Sequence, residues 1–259
     1  MFRFRALGTG TIAFSPARSC SGYLIEAGDS GPAVRLLIDC GSGITRRLAE
    51  LQVEWQRITH IALTHFHIDH HADLPSLLYA FRYGMLPVRS EPLRIVGPAG
   101  TRALFDRLAA AYGDWVTAPV FPQSIEEVAP GSQLDLGEIV LEAFKVPHTA
   151  ESVAYSISRS GRRIVYTGDT GVSPELGTWA RGCDLLVAEC SLPAAMAIPA
   201  HLTPEQAGEL GLAAQPGLLA LTHFYPPVER TDIVALVRRS YAGPLALAHD
   251  GWVHEFEDA

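Results

Sequence analysis

The sequence has little of what would place it in a membrane, outside the cell or on a nucleic acid. No stretch approaches the roughly 18 consecutive apolar residues of a membrane span. Met1 to Phe14 carries two arginines but no apolar run long enough for a signal peptide, so cytoplasm is the expected location. Cysteine is scarce: Cys20, Cys40, Cys183 and Cys190 serve 259 residues, and none forms a C-x-x-C pair. That usage excludes a disulfide framework and predicts reduced, buried thiols. Basic charge is also short, with 20 Lys plus Arg against 28 Asp plus Glu and a net charge of −8. A broadly basic nucleic-acid surface is therefore not expected, although bound cations would make a local site positive. Internal repeats and low-complexity tracts are missing too.

What is present is an ordinary globular composition, 48% hydrophobic and 19% charged. The pattern alternates strands and helices and predicts one domain over residues 1–259. Strands are expected at Phe2–Leu7, Ser21–Glu26 and Val34–Asp39, the last two joined by a Gly31-Pro32 turn. Ile58–Thr64 reads as a short apolar strand, followed by a helix at Leu74–Arg82. Further on, Leu93–Val96, Ile139–Lys145, Leu185–Ala188 and Leu218–Thr222 read as strands. Val153–Ser158 and Arg163–Thr167 resemble a hairpin around Ser160-Gly161. Helices are expected at Ile44–Leu51, at Thr101–Tyr112 and after Thr203-Pro204-Glu205-Gln206, a capping box with proline at the first helical position.

Chemistry concentrates in Thr64-His65-Phe66-His67-Ile68-Asp69-His70. Four ligand-type side chains fall within six residues directly after an apolar strand. On an extended chain His65, His67 and Asp69 share one face. A turn after His67 would instead divide the set between two adjacent metals. Imidazole and carboxylate suit zinc, with manganese or iron as substitutes. One such histidine is usually a polar loop residue; three with an aspartate at this spacing point to metal.

H-x-H-x-D-H is the signature of the metallo-β-lactamase superfamily, which the chain resembles along nearly its whole length. The later motifs stand in the family's order: Asp39 in Leu-Ile-Asp-Cys-Gly, His148 in Val-Pro-His, Asp169 in Tyr-Thr-Gly-Asp-Thr, and His223 in Leu-Thr-His-Phe. The resemblance implies an α/β fold, the four-layer αββα sandwich. It implies two metal ions, one held by His65, His67, His148 and Asp169, the other by Asp69, His70, Asp169 and His223. Asp39 would support a ligand histidine by a hydrogen bond. His60, His71, His249 and His254 fill no ligand slot; His254, in a polar tail, is expected to be solvated.

The finer resemblance is to the ribonuclease Z-like phosphodiesterases. It rests on Asp73-Leu74-Pro75-Ser76-Leu77-Leu78, on Ala188-Glu189-Cys190-Ser191 where that group reads HEAT, on His201-Leu202-Thr203 where it reads HST, and weakly on Ala248-His249-Asp250-Gly251. It implies that His201 assists the phosphodiester transition state, that Glu189 orients it, and that Asp69 orients or deprotonates a hydroxide bridging the metals. Two departures stand out. The N-terminal loop lacks the family's lysine and asparagine; Arg18 remains a candidate to touch an anionic substrate, with a surface arginine the safer reading. Only 21 residues separate His148 from Asp169, room for a hairpin but not for the tRNA-gripping arm. The expected substrate is a small or cyclic phosphodiester, with no membrane partner, no stable nucleic-acid complex and, by analogy with relatives, a homodimer. The rivals are lactone or β-lactam hydrolysis on the same metals, tRNA 3′ processing of the ribonuclease Z type, a non-catalytic binding protein that would have lost ligands, and a di-iron redox protein that would carry a flavin domain.

Overall fold

Alternation sets the first strand: Phe2, Phe4 and Ala6 point inward while Arg3 and Arg5 are less buried, the period-two pattern of a strand with one covered face. In this computed structural model, which describes residues 1–30 and 33–256, that strand is β1 (Phe2–Gly8). The expected Gly31-Pro32 turn lies outside the described residues. In chain order there follow β2 (Gly22–Ala27), β3 (Val34–Ile38), α1 (Ile44–Glu50), β4 (His60–Ala62), α2 (Leu74–Tyr83), β5 (Leu93–Gly97), α3 (Thr101–Tyr112) and β6 (Gln123–Glu127). Next come β7 (Gln133–Asp135), β8 (Val140–Lys145), β9 (Val153–Arg159), β10 (Arg162–Tyr166), α4 (Pro174–Trp179), β11 (Leu185–Glu189) and α5 (Pro204–Ala214). β12 (Leu218–Thr222), α6 (Ile233–Val237), β13 (Leu245–Leu247) and β14 (Val253–Phe256) complete the set.

The chain forms two compact units. The first comprises Met1–Gly8, Ser19–Ala129 and the chain from Asp250 onward. Its seven-stranded sheet runs β14-β1-β2-β3-β4-β5-β6, with β3, β4, β5 and β6 parallel and the β14, β1 and β2 side antiparallel. Helical spacing explains how the helices cover it. Ile44 and Leu48 of α1, Leu74, Leu77, Leu78 and Phe81 of α2, and Leu104 and Phe105 of α3 recur at three- and four-residue intervals and share one core with Leu24, Leu37 and Ile95. β4 is shorter than the apolar run Ile58–Thr64 suggests. The chain leaves the ladder because Thr64 N–H donates to the Asp39 carboxylate at 2.9 Å.

The second unit comprises Thr9–Arg18 and Pro130–His249. Its sheet runs β13-β12-β11-β10-β9-β8-β7, parallel from β10 to β13 and antiparallel from β7 to β10. β9 and β10 form the expected hairpin, with Arg159 paired to Arg162 across Ser160 (φ 48°) and Gly161 (φ 79°), both left-handed as a two-residue turn demands. α5 begins at a full capping box: Thr203 Oγ1 accepts from Gln206 N–H and Gln206 Oε1 accepts from Thr203 N–H. Ala207, Leu210 and Ala214 of α5 and Leu176 of α4 pack on Val165, Leu186 and Leu219. No helix among the described residues is long and apolar enough to cross a membrane.

Strand direction decides where the ligand-type residues emerge. In the first unit Asp39 and the His65 segment leave the parallel strands β3 and β4 at their C-terminal ends. In the second, β8, β10, β11 and β12 all point one way, so His148, Asp169, Glu189 and His223 gather at one end of the sheet. Ligand sites of open α/β sheets form at such carboxyl ends.

His254 departs from expectation. It lies on β14, stacked on Trp252 at 6.1 Å and edge-on to Phe256 at 4.7 Å, and is partly buried rather than solvated.

His60 gives this fold a testable pH dependence. Burial, with the Arg94 guanidinium beside it, pushes its imidazole down to about 4. The unfolded chain takes up a proton below pH 6.5 and the folded chain does not. The stabilising contribution is therefore complete above pH 6.5 and is lost as pH falls towards 4. Urea melts at pH 7.0 and 5.5 should show a loss of stability in the parent that is smaller in His60→Gln. An equal loss in both proteins would refute this origin.

Candidate metal centre

The first unit presents its ligand-type residues on the turn after β4. Asp39 is fully buried in a left-handed conformation (φ 59°), which aspartate tolerates better than most residues. Its Oδ2 accepts from His70 Nδ1 at 2.8 Å and from Thr64 Oγ1 at 2.9 Å. Gly41 keeps this crossing tight: a Cβ there would fall 1.9 Å from the Asp69 carbonyl oxygen. Cys40 N–H donates to His70 O at 2.7 Å, so the Asp39 turn and the histidine turn are sewn together by backbone as well. After His67 the chain enters a 3₁₀ turn, Ile68–His70, which buries Asp69 and His70 while His67 stays exposed. The His65 ring lies 4.1 Å from that of His70 and 4.7 Å from that of His67.

The second unit brings His148, Asp169, His201 and His223 together. Asp169 Oδ2 lies 3.2 Å from His223 Nε2 and 3.7 Å from His148 Nε2, with all three side chains buried. Asp169, His201 and His223 each place a ligand atom within 4.8 Å of the others. His223 is a non-glycine residue at φ 58°, a costly conformation held by its neighbours. Phe224 N–H donates to Thr9 O at 3.0 Å, Tyr225 N–H to Ser191 O at 3.2 Å, and Ser191 Oγ lies 3.2 Å from His223 O.

Glu189 is the buried anchor of this unit. Its Oε1 accepts from His201 Nδ1 at 2.9 Å and from Thr170 N–H at 2.6 Å. Its Oε2 accepts from Ser191 Oγ and from Leu202 N–H at 3.1 Å. A carboxylate with four donors and no exposed surface is fully satisfied, and it fixes which nitrogen His201 presents outward.

The donors fit a borderline metal such as zinc: imidazole nitrogens and carboxylate oxygens, with no thiolate. Acceptors behind the rings support that fit. Asp39 holds His70 by Nδ1 and the Ala200 carbonyl holds His148 by Nδ1 at 2.9 Å, so Nε2 is the atom each ring offers. The cysteines play no part. All four are buried and outside any disulfide, and burial pushes the Cys20 and Cys183 thiols up to about 11 and about 12.

Three residues differ in role from what the motifs suggest or were not singled out by them. Arg18, a candidate to touch an anionic substrate, donates to Glu229 at 2.7 Å and to Ala248 O at 2.8 Å and lies over the Phe224 ring at 4.6 Å. It braces the segment that follows His223. Tyr225 lies edge-on to His201 at 6.1 Å and to His223 at 6.2 Å. Ala200 acts through a carbonyl, which no side-chain motif can signal. His71, to which the motif gives no ligand slot, meets Phe66 O through Nε2 at 3.1 Å, and burial lowers its pKa.

Comparison with known proteins agrees with this architecture. A domain described as the beta-lactamase superfamily domain matches residues 34–224. An uncharacterized protein of Mycobacterium bovis is 30% identical over 249 residues, covering 94% of this chain and 88% of that one. The crystal structure of the metallo-beta-lactamase fold protein YhfI from Bacillus subtilis superposes with a TM-score of 0.84 over 98% of both chains, at 24% identity. That of human tRNase Z, short form, gives 0.80 over 99% of this chain and 100% of that one, at 26% identity. Two mixed sheets flanked by helices are thus the α/β metallo-β-lactamase sandwich, and the histidine–aspartate cluster is one able to bind metal. The chain belongs to the β-lactamase superfamily, as a metal-dependent hydrolase of the metallo-β-lactamase fold with tRNase Z among its structural neighbours.

Proposed function

We propose that this hydrolase is a dinuclear phosphodiesterase acting on small or cyclic phosphodiesters, with zinc as its metal. The observation that carries the reading is the Glu189–His201 pair beside Asp169 and His223. A metal site needs ligands; it does not need a buried carboxylate orienting a further histidine. A phosphodiester with a poor leaving oxygen does need a proton donor there.

His65, His67, His148 and Asp169 would hold one ion, and Asp69, His70, Asp169 and His223 the other. When bound, the ions would neutralise charge on the phosphoryl oxygens and lower the pKa of the attacking water. Asp69 orients that water and takes its proton. Glu189 accepts a hydrogen bond from His201 Nδ1–H, which stabilises the imidazolium and leaves its Nε2–H to protonate the departing oxygen. Asp39 keeps His70 in register through its 2.8 Å bond.

Lactone or β-lactam hydrolysis would use the same ligands, and the Glu189 and His201 motifs weigh against it. Processing of tRNA is favoured by the likeness to human tRNase Z, short form. Against it stands the span from His148 to Asp169, which β9, β10 and their two-residue turn fill without an arm. A large RNA is held by many phosphate contacts, and a net charge of −8 is poorly suited to supplying them.

Two outcomes test the proposal. His201→Ala should retain its metal yet lower kcat by roughly 10²–10⁴-fold, with a smaller loss for a p-nitrophenolate leaving group than for an alkoxide. Equal losses for the two would remove the proton-donor role. The parent protein should show a higher kcat/KM on a cyclic nucleotide than on a tRNA precursor with a 3′ trailer. Efficient trailer removal with negligible cyclic-nucleotide cleavage would replace this reading with tRNA processing.

A further inference from the structure

Nine consecutive residues before His201, Leu192-Pro193-Ala194-Ala195-Met196-Ala197-Ile198-Pro199-Ala200, carry neither charge nor side-chain hydrogen-bonding group. Six of them in a row, Ala194 to Pro199, are exposed. Met196 is 50% and Ile198 46% exposed, and both belong to the second unit. Such a run is unusual on a surface, where solvent favours polar side chains.

The segment is held in shape. Ser191 and Leu192 N–H both donate to Leu202 O, at 3.0 and 3.4 Å, and close its neck. Met196 N–H donates to Pro193 O at 2.8 Å and His201 N–H to Ile198 O at 3.3 Å. Two prolines restrict it further. Its ends are tied to the candidate site: the Ala200 carbonyl holds His148, and the next residue is His201. Its flank meets Gly171, where a Cβ would fall 1.9 Å from Pro199 O, so Ile198 and Val172 stand one residue either side of a close backbone contact. Val172 is 54% exposed and edges a largely apolar cleft of about 200 Å³ lined by Leu176, Leu202 and Leu210, with Gln206 and Glu209 also in its lining.

We propose that this apolar loop, with Val172 and the cleft behind it, is the specificity element of the candidate site and receives the non-leaving aromatic group of a phosphodiester substrate, a nucleobase or an aryl ester. The inference rests on the phosphodiesterase reading and names the substrate class within it. An aromatic ring gains from aliphatic surface, from the polarisable Met196 sulfur and from a loop already ordered before binding. The loop itself carries no charge, so it does not compete with the metals for the phosphate.

The test compares bis-p-nitrophenyl phosphate with ethyl p-nitrophenyl phosphate. Both release p-nitrophenolate, and they differ only in the group that stays. The parent enzyme should have a KM about tenfold lower for the diaryl ester, corresponding to about 1.4 kcal/mol. Met196→Gln combined with Ile198→Asn introduces no charge and alters only exposed positions, so the melting temperature should hold. This variant should raise KM for the diaryl ester about tenfold with kcat within twofold, and leave the ethyl ester unchanged. Equal losses on both esters, or no change on either, would overturn the inference while leaving the phosphodiesterase reading intact. So would a shift in sedimentation showing that the loop seats a second copy of the chain. A parent enzyme inert towards both esters, with metal bound, would overturn the phosphodiesterase reading and this inference with it.

Discussion

A buried carboxylate that collects the donors around it is the interaction on which the ligand-type residues of each unit depend. In the first unit Asp39 accepts from His70 and Thr64; in the second Glu189 accepts from His201, Thr170, Ser191 and Leu202. Neither carboxylate is exposed. Each buried donor left without its acceptor would cost about 1–3 kcal/mol, so these turns have one low-energy arrangement and the imidazoles one orientation. The carboxylates thereby set which nitrogen His70 and His201 present, the geometric precondition for binding metal and moving a proton.

Within each unit the strand arrangement gathers those turns. Parallel strands place their C-terminal ends side by side, and the chain carries its ligand-type residues in the turns beyond them. The helices that follow the turns cover the sheets with leucine-rich faces, and that burial supplies the stability which the strained residues draw on. Asp39 and His223, both left-handed without being glycine, show where some of it is spent.

The ligand-type residues were legible because their spacing is dense and each follows an apolar run. His65, His67, Asp69 and His70 share one short motif, and the capping box after His201 marks a helix start that the structure contains. The Ser160-Gly161 turn was legible for the same local reason. Long-range partnerships were not. Arg18 is braced by Glu229 and Ala248, 211 and 230 residues away, which no local pattern announces. His254 looked solvated because its neighbours Glu255 and Glu257 are charged, yet it pairs with the rings of Trp252 and Phe256 on the same side of a short strand. β7 and β13 have three residues each, too few to show a period, and polar β6 is one of the two edge strands of its sheet. The carbonyl of Ala200 has no side-chain signature at all.

The loop before His201 links these levels. Its sequence is apolar, its hydrogen-bonded neck fixes it, and its position puts that apolar surface next to the residues assigned to proton transfer and metal binding. The proposed dinuclear hydrolysis would have Asp169 serve two ions. Elemental analysis of protein purified without chelator tests this most directly, run beside Asp169→Ala. Close to two metal ions per chain are expected in the parent, with loss of at least one in the variant. A parent protein that contains no metal and rebinds neither zinc nor manganese, or a variant that keeps both ions, would contradict it.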